Sequence, residues 1–207
     1  MIQEKLDLKK VQKELFKVKE KEYKKVLCPR SKYIAIDGAG NPNNNPEYQS
    51  IVGALYKMAY SIKMEYKKRG LDFVVMPLAG QWWADDMNAF KEKTKDKWKW
   101  TMMIQVPDYI EENDIEFFRR KFKDEEVGQY LNRLYSIDMD ERLVFATLYI
   151  GAYRDEAETI KNLHDTIINN GYRLHENHME IYISDPRRVE ESRLKTIILQ
   201  PAIEIEK

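Results

Sequence analysis

Two glycines that each close an amphipathic helical stretch, Gly70 and Gly171, lie 171 − 70 = 101 residues apart, and the segments around them repeat in order and register. In the first half, residues 33–36 read as a short strand ending at Gly38, followed by an Asn- and Pro-rich loop. Asn45-Pro46-Glu47 then combines a cap, a first-turn proline and an acid at the positive end of the dipole. Ile51, Leu55, Met58, Ile62 and Tyr66 recur at helical spacing up to Gly70. Residues 73–76 open a strand expected to run past Pro77 to Trp83; a charged loop covers 85–97, and 98–106 form the next strand. The second half repeats this order. A strand at 144–149 runs into Gly151, and Asp155 with Glu158 predicts a capping box. Ala157, Ile160, Leu163, His164, Ile167 and Ile168 make an apolar helix face, strands follow at 179–183 and 194–199, and Pro201 is the expected stop. Thr101-Met102-Met103-Ile104-Gln105 matches Thr196-Ile197-Ile198-Leu199-Gln200 at an offset of 196 − 101 = 95, the difference being absorbed by the 85–97 loop.

A repeat with this period predicts an α+β fold, a tandem pseudo-symmetric β-α-β-β repeat with extra helices. Residues 1–207 are read as one domain: an N-terminal helix and lead-in strand (1–30), a first repeat (31–107), a helical connector (108–141) and a second repeat (142–207). Leu8, Val11, Leu15 and Val18 mark the expected N-terminal helix, and residues 111–123 and 125–135 the connector helices.

Charge then narrows the function. Lys plus Arg equals Asp plus Glu, 35 against 35, which argues against nucleic acid as the main partner. No apolar run has the length of a membrane span, and no signal peptide is visible. A single cysteine, Cys28, rules out an internal disulfide and points to a reducing compartment, so a cytoplasmic location is expected, as a monomer or homodimer. The sequence has no phosphate loop, nucleophile elbow or Cys–His arrangement, and no cofactor is implied. His175-Glu176-Asn177-His178 mimics a metal cluster without a third ligand, so no metal is expected.

One residue breaks the core pattern. Glu180 sits mid-strand in His178-Met179-Glu180-Ile181-Tyr182-Ile183, where a buried charge costs several kcal/mol (~2–7 for a neutral polar group, more for an ion) unless partnered. Its counterpart in the first repeat is Ala79, since 180 − 79 = 101. Alternation puts Glu180, Tyr182 and Ser184 on one strand face, with Ala79, Gln81 and Trp83 as the matching set. If the repeats pair their sheets, these faces are expected to line a cleft together with Trp82, Trp100, Met103, Tyr149 and Tyr153. A single acid among indoles and phenols suits a planar aromatic, often cationic ligand, and an apolar setting also suits a carboxylate for acid–base work. The bland alternative is Glu180 paired to Arg187, Arg188 or a tyrosine.

Met76-Pro77-Leu78 with Gly80 and Trp82-Trp83, Trp98-Lys99-Trp100-Thr101-Met102-Met103, Gly151-Ala152-Tyr153, and the 178–188 run through Ser184-Asp185-Pro186-Arg187-Arg188 resemble the GyrI-like small-molecule-binding proteins over nearly the whole chain. The resemblance implies a tandem β-α-β-β fold. It also implies a ligand-binding glutamate, at the position of Glu180, as in the sensor domains of multidrug-responsive transcription activators. Some stand-alone members resemble hydrolases that open the cyclopropane of DNA-alkylating antibiotics. For such chemistry the resemblance implies Glu180 acting on water and Tyr153 or Tyr182 acting on the substrate oxygen. The family pattern leads one to expect an acid where this chain has Ala79, and a Leu where it has Gln81. The alternative is a drug-sequestering module without catalysis.

Overall fold

A computed structural model describes residues 4–84 and 95–205, so most of the charged 85–97 loop lies outside the described residues. The chain divides into two units, Met1–Leu8 with Ser31–Met139, and Lys9–Arg30 with Asp140–Lys207. It opens on two single helical turns, α1 (Leu8–Val11) and α2 (Lys13–Phe16), and then strand β1 (Lys24–Cys28). The sequence leads one to expect one amphipathic helix here. Leu15 and Val18 are indeed buried, but Val11 is 61% exposed, and Lys21 at φ 62° turns the chain into β1.

The first unit holds β2 (Ser31–Ala39), α3 (Pro46–Lys68), β3 (Leu78–Trp83) and β4 (Lys99–Val106). Helix α3 begins as the sequence predicts: the Asn45 side chain accepts the Glu47 N–H at 2.8 Å, and Pro46 is the first helical residue. Ile51, Leu55, Met58, Ile62 and Tyr66 are its buried stripe. Gly70 follows at φ +84°, a backbone region that disfavours any side chain. The predicted strand through 73–83 is shorter than expected. Leu6 and Phe73 form a parallel bridge, and the Val74 N–H donates to the Leu6 carbonyl at 2.8 Å. That backbone is therefore engaged by the N-terminal segment, and β3 starts only after Pro77. The connector also differs from two helices. It contains α4 (Glu112–Lys121), a single turn α5 (Gly128–Leu131), and then a strand, β5 (Tyr135–Met139), antiparallel to β2. The order within this unit is β5-β2-β4-β3, antiparallel throughout.

The second unit repeats the strand, helix, strand, strand sequence with β6 (Arg142–Ile150), α6 (Ala157–Asn169), β8 (His178–Tyr182) and β9 (Lys195–Glu204). A short strand β7 (Tyr172–Leu174) pairs with the far end of β9. The order is β1-β6-β9-β8, again antiparallel. Each unit thus has its middle pair flanked by one extra strand, β5 or β1. The ladders keep the sequence offsets: Glu180 pairs with Ile198 and Ala79 with Met103, where 180 − 79 = 101 and 198 − 103 = 95. Gly171 has the same φ of +84° as Gly70.

Three local expectations fail in this unit. Pro201 does not stop β9. It is the last residue paired to β6, and β7 takes over from Ala202, so a missing N–H there costs little. The Asp155/Glu158 capping box does not form. Tyr153–Asp155 are coiled into a 3-10 turn that runs directly into α6, with Glu156 as N-cap and no side-chain cap bond. The helix face is also narrower than expected. Leu163 and Ile167 are buried against Phe145, Ile198 and Ala202, with Ile160 partly buried, while Ile168 is 57% exposed.

Candidate functional site

Strand alternation and ladder register define one face of the second unit: His178, Glu180 and Tyr182 on β8, Thr196, Ile198 and Gln200 on β9, and Phe145, Thr147 and Tyr149 on β6. Phe145 and Ile198 pack against Leu163 and Ile167, so this is the face that α6 covers. Glu180 lies on this same face, on the strand beside β9, and is 6% exposed.

Its partners come from its own strand. Tyr182 donates its hydroxyl to Glu180 Oε2 at 2.8 Å, and His178 Nε2 lies 3.1 Å from Oε1. A carboxylate only accepts, so Nε2 is the His178 nitrogen placed to donate to it. Residues two apart in a strand point the same way, which is why a His-x-Glu-x-Tyr spacing closes this triad without any long-range contact. Arginine is not the partner. Arg187 forms a bidentate pair with Asp185, at 3.0 and 2.9 Å, and holds that carboxyl down at about 2. Among the described residues no Lys or Arg pairs with Glu180. Ser184 lies beyond β8, where its hydroxyl accepts the Lys195 N–H at 3.1 Å.

Tyr153 completes the cluster. Its ring meets Tyr182 edge-on at 5.5 Å. Burial first, then the Glu180, Glu156 and Asp185 carboxylates, push its hydroxyl up to about 12. It therefore stays a neutral phenol across the physiological range and remains able to donate. β6 does not continue through Gly151, so Tyr149 and Tyr153 do not share a strand face. The strand ends at Ile150, Gly151 turns at φ +149°, and a Cβ there would lie 2.6 Å from the Tyr149 hydroxyl. Tyr149 donates that hydroxyl to the Ala152 carbonyl at 2.9 Å, so it fixes the loop that carries Tyr153.

Sequence reading missed three contributors. His178, which reads with its neighbours as a mimic of a metal cluster, stands at a two-residue spacing from Glu180 that is legible in the sequence. Helix α6 brings His164 toward the same face, where burial, then His178, pushes its imidazole below the ordinary value. Glu156, at the entry to α6, supplies a second carboxylate beside Tyr153. Here His164 Nε2, His178 Nδ1 and Thr196 Oγ1 are buried with no hydrogen-bond partner among the described residues. Buried polar groups are ordinarily satisfied, and unsatisfied ones concentrate where function constrains the structure. Among the described residues no group of three His, Cys, Asp or Glu side chains is arranged to hold a metal.

The remaining expected residues belong to the first unit. Trp100 is fully buried: its Nε1 donates to the Gly40 carbonyl at 3.1 Å, and Tyr48 packs on it edge-on at 5.2 Å. Gly38 exists to admit it, since a Cβ there would fall 2.0 Å from the indole. Trp82 is half-buried, 6.5 Å from Trp100 and 5.8 Å from Trp98. Ala79 and Met103 are buried, while Gln81 and Trp83 are partly exposed. Register puts Trp82 and Trp100 on one face, with Tyr48 of α3 against the latter, and Ala79, Gln81 and Met103 on the other. The spacing that equates Ala79 with Glu180 thus does not equate their surroundings.

No helix among the described residues is long and apolar enough to cross a membrane. No curated protein sequence matches this one. Among solved structures, an uncharacterized conserved protein from Listeria innocua is 28% identical with a TM-score of 0.86, over 96% of this chain and all of that one. A hydrolase from Listeria innocua is 27% identical with a TM-score of 0.83, over 97% of this chain and all of that one. The C-terminal domain of EcmrR, 13% identical with a TM-score of 0.57 over 88% of this chain and 99% of that one, shares the fold alone. The model of the GyrI-like small molecule binding domain matches residues 21–202, and the chain belongs to the GyrI-like small-molecule-binding family.

Proposed function

We propose that this protein binds planar aromatic molecules and hydrolyses the strained cyclopropane of DNA-alkylating antibiotics, with Glu180 activating water. The observation that carries the reading is a buried carboxylate held by Tyr182 and His178, with no Lys or Arg paired to it among the described residues. The hydrolase from Listeria innocua at 27% identity supports a hydrolytic role. In the reaction, water oxygen bonds to a ring carbon and the strained C–C bond breaks. The electron pair moves through the conjugated system to the carbonyl oxygen. Glu180 takes the proton that water loses, and a phenol supplies one to the oxygen. Tyr182 already donates to Glu180, which favours Tyr153 as that phenol. The proton on Glu180 then restores the tyrosine, so the balance is addition of one water.

The test is incubation with a cyclopropane-bearing alkylator and detection of the water adduct by mass spectrometry. Turnover by the wild type, lost in Glu180→Gln and Tyr153→Phe, is expected. Equal turnover by Glu180→Gln defeats the reading.

A second reading rests on the same buried carboxylate: a binder that sequesters planar cations through charge and ring contacts. It predicts dye binding weakened by Glu180→Gln and no adduct. Failure to bind any aromatic compound sinks both readings.

A further inference from the structure

Helix α3 carries two apolar stripes. The first faces the core; the second, Tyr56, Tyr60 and Met64, faces outward, with Tyr60 and Met64 53% and 52% exposed. A surface helix ordinarily presents charge on that side. Together with Phe118 of α4, these side chains line a groove of about 440 Å³. That is within the size range of small-molecule sites, roughly 300–1,000 Å³.

Gly53 lines the same groove. A glycine inside a helix costs about 1 kcal/mol relative to alanine. Packing does not demand it here, because no atom lies within 4 Å of the position its Cβ would take. What the missing side chain supplies is room at one end of the groove.

The rim is cationic. Lys57, Lys68 and Lys121 line it against one carboxylate, Glu65. Lys57 lies 2.8 Å from Glu125 and 4.4 Å from the Phe122 ring centroid. Lys68 lies 3.7 Å from Glu65. Lys121 has no carboxylate partner among the described residues; its ammonium sits 5.7 and 5.6 Å from the Phe118 and Phe122 rings. Aromatic surface and unneutralised positive charge are therefore contiguous.

We propose that the groove between α3 and α4 is a second binding site, for a planar aromatic anion whose ring lies on Tyr56, Tyr60 and Phe118 and whose acidic group meets Lys121. Its charge preference is the reverse of that of the Glu180 site, and it stands independently of any reading of that site.

The test is fluorescence titration of the full chain with 8-anilinonaphthalene-1-sulfonate. Saturable binding that weakens with salt is expected. Gly53→Trp, which fills the groove, and Lys121→Glu, which reverses its charge, should each weaken it by about tenfold or more, equivalent to ~1.4 kcal/mol. Glu180→Gln should leave it unchanged. Lys121 is exposed, so its variant keeps the test decisive if Gly53→Trp fails to fold. No saturable binding, binding indifferent to Lys121→Glu, or binding lost in Glu180→Gln overturns the proposal.

Discussion

Tyr182→Phe removes one atom from the second unit, and the structure says what that atom does. The hydroxyl donates at 2.8 Å to a carboxylate that is 6% exposed. A hydrogen bond to a charged group contributes about 1.5–3 kcal/mol, and a carboxylate left buried with fewer donors bears the loss. Phenylalanine keeps the edge-on contact with Tyr153, so the change isolates the hydrogen bond. For a chain of this length, about 2–4 °C of melting temperature accompanies each kcal/mol, which predicts a drop of roughly 3–12 °C. The double-mutant cycle sharpens the point. With Glu180→Gln in place the acceptor is a neutral amide, and Tyr182→Phe should then cost only about 0.5–1.5 kcal/mol. Tyr153→Phe is the contrasting control: no hydrogen bond to its hydroxyl is found among the described residues, so its loss should change stability by less than about 0.5 kcal/mol while abolishing turnover. Thermal and urea unfolding followed by far-UV circular dichroism measure all five stabilities, the wild type included. Equal losses from Tyr182→Phe in both backgrounds would refute the assignment of its hydroxyl to Glu180.

Other positions yield sharper yes-or-no outcomes. Gly38→Ala drives a methyl into the fully buried Trp100 indole and should cost about 1–3 kcal/mol or more, seen as a lower urea midpoint and shifted Trp fluorescence. Asn45→Ala removes the cap of α3 and should cost about 1 kcal/mol, whereas Asn45→Asp should retain it. Burial raises the Cys28 thiol to about 11, so its labelling by a thiol reagent at pH 8 should be slow in the native protein and rapid in urea. The same shift means the folded state holds this proton more tightly, so its stabilising contribution is complete below the ordinary thiol value near 9 and fades as pH rises toward 11. Asp185 runs the other way. Its carboxyl is lowered to about 2 by Arg187, so its contribution is present above the ordinary value of 3.8 and lost as pH falls through 2; Arg187→Ala should bring its NMR titration back toward the ordinary value.

Where the physics is local, the sequence was a guide to most elements, the Asp155/Glu158 cap excepted. The Asn45-Pro46 start of α3, its buried stripe, the glycine stops at Gly70 and Gly171 and the two strand–helix–strand–strand series all follow from capping, periodicity and left-handed backbone within a few residues of one another. So does the triad around Glu180, because a two-residue spacing fixes a shared strand face. The duplication legible in the spacing also survives in the ladders. Apart from that cap and the turn at Gly151, what failed depended on partners distant in the chain. The 73–76 segment bonds to Leu6 rather than extending β3, residues 135–139 become a strand because β2 offers an open edge, and β9 runs on past Pro201 because β7 meets it there.

The candidate site shows the same division. Composition and alternation identified a lone acid among aromatic side chains, but not the direction in which it looks. That was decided by α6, whose Leu163 and Ile167 pack on the Glu180 face and carry His164 toward it. It was also decided in the first unit by Tyr48, which packs against Trp100 on the face opposite Ala79. Helix caps and stops are mostly written in neighbouring residues, so sequence alone determines the repeat and most of its elements. The face a helix covers is chosen by the summed fit of side chains far apart in the chain, so the surroundings of each acid belong to the tertiary structure alone.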